Sequence, residues 1–325
     1  MNLRRFALPV KVTLTLAMGF VLLRQVDLVE LGRLARAFSA QSLLLAAALM
    51  VLQALLLAWR WQRLLRFLGQ PLRPKLALRW VLVGLFFNQA LPTSVGGDAF
   101  RVWALHRHGT APGTAFASVA LERVTGVTLM ALMIALCVPT LQPGLPAGVA
   151  WALMASAPAL VAALAVIALA DRLPLQWLPA AILASLTSTS GGLRRLLASP
   201  SDTLGLSLLA IAASLCGFGA AWVLGRSLGI EQQPLSAVVV VLGGAMLVSL
   251  LPISLGGWGV REATVVALFT ALGVAPERAL AMSVAFGLLQ LAVSLPGGML
   301  WWIDERGPAV VVAAAPPQGS RRPRP

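Results

Sequence analysis

Long apolar runs dominate this chain, and six of them are long enough to cross a lipid bilayer. A spanning helix needs about 20 mostly apolar residues. The six runs cover residues 7–23, 42–59, 115–138, 148–170, 204–225 and 279–302. Most of the runs end near charged residues, proline or tryptophan, such as Trp59 and Trp61, which are common where a helix leaves the membrane. The pattern therefore predicts an all-α polytopic membrane protein.

Two further apolar segments, 77–105 and 235–273, are interrupted near their middle by proline, paired glycine and polar residues. Irregular backbone at membrane depth is tolerated only where it is buried in protein or lines a wet cavity. We interpret each segment as a re-entrant hairpin of two half-helices. Two full crossings per segment are the alternative, which the lengths leave open.

Composition supports a membrane solvent for nearly the whole chain. Of the 325 residues, 59% are hydrophobic and 11% are charged, whereas a soluble domain carries about 25% charged residues. We therefore expect a single transmembrane domain over residues 1–307. Residues 308–325 are rich in proline, alanine and arginine, which predicts a disordered cytoplasmic tail.

The net charge of +14 comes from basic residues that flank the apolar runs. This distribution favours contact with anionic lipid headgroups over nucleic acid. The densest basic stretch is interpreted as a cytoplasmic loop after the run 42–59: Arg60, Arg63, Arg66, Arg73, Lys75 and Arg79. The positive-inside rule then predicts a multi-pass protein of the cell (inner) membrane with both termini in the cytoplasm.

An internal repeat is the most informative feature of the sequence. Residues 91–101 read L-P-T-S-V-G-G-D-A-F-R, and residues 251–261, offset by 160 positions, read L-P-I-S-L-G-G-W-G-V-R. We infer a duplication with halves of about 42–140 and 204–303. On the predicted topology the two copies enter the membrane from opposite faces, as inverted repeats of transporters do. The alternative is that duplication only produced a stable helical bundle.

Six ionisable residues lie inside apolar segments, in three adjacent or i, i+3 pairs. Each costs about 2.5–3.5 kcal/mol at a helix centre, so we expect these side chains to face the protein interior, to pair, or to contact water. Half-helix N-termini and arginines together suit a phosphate group. The alternative is ion pairing that only joins helices. The candidate substrate-binding residues are Arg101, Arg261, Asp98, Glu262, Glu122, Arg123, Ser94, Ser254, Gly96, Gly97, Gly256, Gly257 and Asn88.

The two glycine-rich motifs, P-T-S-V-G-G-D-A-F-R and P-I-S-L-G-G-W-G-V-R-E, with L-E-R between them, resemble the lysylphosphatidylglycerol synthase transmembrane-domain family over roughly residues 10–305. The resemblance implies a flippase-like domain that moves a lipid with a charged headgroup between leaflets. It also implies that the six buried charges correspond to the family's polar motif residues. The best-known members carry a soluble aminoacyl-transfer domain, which we do not expect here.

The sequence thus favours a lipid flippase or transporter for an amphiphile with a phosphate-containing headgroup, such as a phospholipid, glycolipid, hopanoid or polyprenyl-phosphate. We expect no catalytic residues, no cofactor and no metal, and the G-x-x-x-x-G-K-[ST] nucleotide motif does not occur. Two alternatives stay open. One is an intramembrane lipid-linked transferase with Asp98 or Glu122 as the base. The other is a non-catalytic partner of membrane-lipid synthesis enzymes.

Overall fold

The computed structural model describes residues 33, 34, 36–90, 95–141, 144–172, 177, 179–250 and 258–306. All regular structure in these ranges is helical. The predicted span 7–23 and the tail 308–325 lie outside them, as do four of the candidate site residues: Ser94, Ser254, Gly256 and Gly257.

Ten α-helices make up the described part of the chain. In order they are α1 (Ala40–Phe67), α2 (Pro74–Ala90), α3 (Gly96–Arg107), α4 (Pro112–Cys137), α5 (Ala147–Leu169), α6 (Ala180–Leu197), α7 (Pro200–Ser227), α8 (Leu235–Ser249), α9 (Val260–Ala271) and α10 (Pro276–Arg306). Five of them, α1, α4, α5, α7 and α10, are long and apolar enough to span a membrane. They match five of the six predicted spans, so the all-α polytopic fold is confirmed.

Helix α1 extends further than the apolar run predicts. It continues through the stretch interpreted as a basic loop, so Arg60, Arg63 and Arg66 are helical, and the loop prediction is wrong for them. Arg60 is only 5% exposed and Trp61 is fully buried. Arginine is a good helix former, and these two side chains face other helices instead of lipid headgroups.

Each interrupted segment consists of two helices that pack on each other, α2 with α3 and α8 with α9. The α2–α3 hairpin opens at the end of the bundle where α1 ends and α4 begins, which we call the first end. There Thr110 donates a 3.2 Å hydrogen bond to Gln70 Oε1, and the rings of Trp80 and His108 lie 5.6 Å apart.

The α8–α9 hairpin opens at the opposite, second end, where α4 ends. Thr140, just after α4, donates to Ser236 at the start of α8 over 3.1 Å. Gln233, just before α8, donates to the carbonyl of Leu272, just after α9, over 3.1 Å, which joins the two helices at the open end of this hairpin. Because α4 runs from the first end to the second, the two hairpins enter the bundle from opposite ends.

Helix α6 is a helix that the sequence did not predict. It lies within the stretch 171–203, whose Ser-, Thr- and Gly-rich segment 185–192 is typical of a loop. Two 2.5 Å bonds from Arg194 to Asp171 and a 2.7 Å bond from Ser190 to the Ile167 carbonyl hold it at the end of α5. A cluster of Leu64, Leu68, Leu193, Leu196 and Leu206 joins it to α1 and α7. The connection from α5 to α7 therefore stays at the first end.

The internal repeat extends to backbone conformation. Helices α1 and α7 have the same 28-residue length and are offset by 160 positions. They pack antiparallel, since Gly205 lies beside Arg63 and Gly217 beside Gln53. The turns that follow α1 and α7, and those that follow α3 and α9, all contain a glycine with a left-handed φ: Gly69 (77°), Gly229 (72°), Gly109 (100°) and Gly273 (80°).

Candidate functional site

A cavity of about 350 Å³, partly open to the outside, lies between the two hairpins. Glu122 on α4, Ser214 on α7 and Gln290 on α10 line it, and each lies near the midpoint of its helix. The cavity is therefore at mid-depth. Its charged and amide-bearing lining residues are Arg60, Asn88, Gln89, Asp98, Arg101, Glu122, Arg123, Arg261 and Gln290.

Positive charge exceeds negative charge along the cavity wall, where four arginines face two carboxylates. All six are buried except Arg123, whose side chain is 37% exposed. Electrostatic interactions are stronger in such apolar surroundings than in water. A cleft of one predominant sign also raises the local concentration of the opposite ion. The cavity is thus suited to an anionic group.

An ion-pair network joins the tip of the first hairpin to α4. Arg101 donates to Asp98 Oδ1 over 2.7 Å and also to Glu122 Oε2. Arg123 Nε donates to Asp98 Oδ2 over 2.5 Å. Asp98 and Arg101 can pair within α3 because side chains three positions apart lie on the same face of a helix. The Arg101 guanidinium also lies 5.1 Å from the ring centroid of Trp61.

Close backbone contact shapes the same tip. A Cβ atom on Gly97 would lie 1.9 Å from the Gly84 carbonyl oxygen, so only glycine allows α2 and α3 to approach this closely. Asn88 Oδ1 accepts the Gly97 N–H over 2.8 Å, which satisfies one free donor at the start of α3. Gly96 is the first residue of that helix.

The second hairpin balances its arginine differently. Arg261 donates twice to Glu262 Oε1, over 2.6 and 2.9 Å. The other carboxylate oxygen of Glu262 accepts the Gly259 N–H over 2.7 Å. Trp258 lies under the Arg261 guanidinium at 4.8 Å. Arg261 lines the cavity, whereas Glu262 lies behind it and pairs with the backbone of the tip.

Arg60 is the site residue that sequence reasoning missed. Its Nη2 donates to the Glu122 carbonyl oxygen over 3.1 Å and to Thr125 Oγ1 over 2.7 Å. Among the described residues, no carboxylate lies within ion-pair distance of Arg60. No pattern in the sequence of α1 marks Arg60 as inward-facing, because it follows an apolar run, where arginines are usually interfacial.

The predicted site residues fall into three groups. Asn88, Asp98, Arg101, Glu122, Arg123 and Arg261 surround one cavity. Gly96, Gly97 and Glu262 support the two hairpin tips. The remaining four lie outside the described residues. Within the described ranges, no group of three or more His, Cys, Asp or Glu side chains is arranged to hold a metal ion.

These features define a multi-pass membrane protein with a charged cavity at mid-depth between two interrupted segments. Residues 8–298 match the family described as the lysylphosphatidylglycerol synthase TM region, and the chain belongs to that family. The family connects the protein with membrane lipids. The chain is also similar to a UPF0104 membrane protein of Methanocaldococcus jannaschii, with 37% identity over 83 residues. That match spans 25% of this chain and 25% of the relative.

Proposed function

We propose that this protein is a lipid transporter that moves an amphiphile with a phosphate-containing headgroup between the two leaflets. The observation that carries this conclusion is the convergence of Arg60, Arg101, Arg123 and Arg261 on one mid-depth cavity between hairpins that open at opposite ends. Membership of a family connected with membrane lipids supports it further.

The headgroup would cross through the cavity while the hydrocarbon chains stay in lipid. Arginine presents a planar set of donors that matches phosphate oxygens bidentately, so the cavity arginines can replace the water around the phosphate. Asp98 and Glu122 neutralise Arg101 when no lipid is bound. A phosphate would compete with these carboxylates for the arginine.

Arg60 is the arginine best suited to bind the phosphate first. Only a carbonyl and a hydroxyl oxygen accept its hydrogen bonds within the described residues. No carboxylate therefore has to be displaced from Arg60 when a phosphate binds. A phosphate at Arg60 would also lie close to Arg101, since both arginines contact Glu122.

The two halves are taken as inverted repeats, each with one hairpin that gives access from its own side. Alternate opening of the two sides would follow from rocking of one half against the other, as in other inverted-repeat transporters. We assign the first end, with the exposed Arg66, Arg73 and Lys75, to the cytoplasmic side of the cell (inner) membrane.

Leaflet exchange in liposomes tests this function. Purified protein is reconstituted with fluorescent phospholipids, glycolipids or polyprenyl-phosphates, and a membrane-impermeant quencher reports the fraction in the outer leaflet. We expect exchange by the wild-type protein and at least a tenfold slower rate in Arg60→Gln. Arg66→Gln, the same substitution at an exposed position of α1, is the matched control and should exchange normally. If the wild type leaves every labelled lipid in its original leaflet, the transporter assignment is wrong.

A further inference from the structure

A second cavity, of about 520 Å³, opens on the outside of the bundle between α3 and α4. We call it the α3–α4 groove. Its lining residues are Val95, Asp98, Ala99, Val102, Trp103, His106, Pro112, Phe116, Val119, Ala120 and Arg123. Except for the two charges and His106 they are apolar.

The groove is open to the exterior in the described part of the chain. Val95 is 59% exposed, Trp103 is 52% exposed and Phe116 is 46% exposed. On the outside of a membrane-spanning bundle, such side chains face lipid hydrocarbon. The groove follows the chain from Val95 to His106, almost all of it within α3, a rise of roughly 16 Å along the helix axis. This length is about half of a hydrocarbon core of about 30 Å, so the groove is about one leaflet deep.

Two charged residues connect the groove with the central cavity. Asp98 and Arg123 line both spaces, and their 2.5 Å ion pair forms the wall between them. Asp98 is almost fully enclosed, whereas the Arg123 side chain is 37% exposed. A cation is therefore within reach of an anionic group that approaches along the groove.

We propose that the α3–α4 groove binds the hydrocarbon chain of the transported lipid, an acyl or isoprenoid chain, while the phosphate of the same molecule pairs with Arg123 at the inner end. This inference rests on the proposed function and names the lateral entrance of the substrate. The chain stays in an apolar channel that is continuous with the bilayer. Arg123 exchanges its bond to Asp98 for one to the phosphate, and the headgroup passes into the cavity that holds Arg60 and Arg101.

In the described part of the second half, the side chain that corresponds to Phe116 is buried. Leu280 follows Pro276 as Phe116 follows Pro112, four positions on at the start of the long helix, yet Leu280 is only 4% exposed. The entrance is therefore assigned to the leaflet at the first end, where the groove begins near His106. Arg107, exposed and stacked on Trp103 at 5.3 Å, lies at that level and suits the headgroup region.

Photolabelling of the wild-type protein tests the groove directly. A phospholipid with a diazirine near the end of its acyl chain is reconstituted with the protein and illuminated, and labelled peptides are identified by mass spectrometry. We expect labelling of residues 95–103 and 116–120 at least five times above labelling of the lipid-facing α5. Equal labelling of α5 would overturn the inference. Covalent adducts of two protein copies through the groove would assign it to an interface and also overturn the inference.

A substitution that fills the groove separates this inference from the transporter assignment. Ala120→Trp should slow exchange of the long-chain lipid at least tenfold, while Ala152→Trp on the exposed face of α5 should exchange normally. Normal exchange by Ala120→Trp, together with no selective labelling, refutes the groove and leaves the transporter intact. Selective labelling without exchange by the wild type refutes the transporter and leaves the groove intact. The labelling arm needs no variant, so poor folding of Ala120→Trp does not affect it.

Discussion

The two hairpin tips carry the same motif but neutralise its arginine in different ways. At the first tip Arg101 pairs with Asp98 on its own helix and with Glu122 on α4. At the second tip tryptophan stands where the first has Asp98, and Arg261 pairs with the neighbouring Glu262. Within the described residues Arg261 has no ion pair to another helix. The two tips thus share the cation of the motif but not its counterions.

The first tip is therefore joined by ion pairs to the neighbouring helix α4, whereas the arginine of the second tip pairs within its own helix. The ion pairs Arg101–Glu122 and Arg123–Asp98 tie α3 to α4, so movement of the first tip relative to α4 must break these pairs. The second tip can move without breaking its ion pair, because Arg261 and Glu262 lie on the same helix. The expected effects of substitutions therefore differ between equivalent positions of the two hairpins.

The largest effect is expected for Arg101→Leu. The substitution leaves Asp98 and Glu122 buried with one partner fewer, and loss of one member of a buried pair costs about 3–5 kcal/mol. Thermal denaturation in detergent measures this loss. Adding Glu122→Gln to the same protein removes the unpaired charge and should restore much of the stability, but not lipid exchange. If the Arg101→Leu protein without the second substitution is as stable as the wild type, the first tip is not tied to α4.

Gly97→Ala should have the next largest effect. The new Cβ would lie 1.9 Å from the Gly84 carbonyl oxygen, and backbone cannot move away as a side chain can. We therefore expect a loss of stability of about 3 kcal/mol or more, at or above the upper end for overpacking. The control in the second hairpin is Gly244→Ala, where the nearest atom is Leu153 Cδ2 at 3.2 Å. Equal melting temperatures of the two variants would contradict the close contact of α2 and α3.

Arg261→Leu is expected to destabilise the protein less than Arg101→Leu. Only one carboxylate is affected, and it keeps its bond from the Gly259 N–H although it loses its arginine, so we expect a loss of about 3 kcal/mol, the low end for removing one partner of a buried pair. The same denaturation series compares the two variants directly. A loss as large as that of Arg101→Leu would show that the second tip is as dependent on its arginine as the first.

Arg60→Gln should change stability least, by less than about 1 kcal/mol, because glutamine can still donate to a carbonyl or hydroxyl oxygen and no carboxylate is left unpaired. Its melting temperature should stay within a few degrees of the wild type while lipid exchange is lost. A strongly destabilised Arg60→Gln protein would make Arg60 a structural residue and remove the main support for its role in phosphate binding.

Much of the fold could be predicted from the apolar runs, because lipid requires about 20 apolar residues for each crossing. Helix α6 could not, since its Ser- and Thr-rich sequence is compatible with a loop and its position depends on contacts with Asp171 and Ile167. Arg60 was missed for a related reason. At the end of an apolar run an arginine is normally read as an interfacial residue, and only packing reveals that it faces inward.

The pairs within each motif, Asp98–Arg101 and Arg261–Glu262, follow from the spacing in the sequence, whereas the pairs between α3 and α4 do not. The cost of a charge in lipid indicates that Asp98, Arg101 and Glu122 must be shielded, and the cavity contains all three. Arg101 pairs with Glu122 on another helix, whereas Arg261 pairs with the next residue of its own helix. This difference depends on the distance from each arginine to the neighbouring helix. A single sequence does not contain that distance. Gly84 and Gly97, which set the separation of α2 and α3, likewise become meaningful only once those two helices are in contact.

Helix α5 determines the direction in which α7 runs relative to α1. The first set of four helices, α1 to α4, crosses the bundle twice and returns the chain to the end from which it started. A second set joined directly would therefore repeat the first in the same direction, with α1 and α7 parallel. One added crossing reverses the starting end, and α1 and α7 consequently run antiparallel. The antiparallel arrangement of α1 and α7 therefore depends on α5, although most of this helix is not buried inside the bundle.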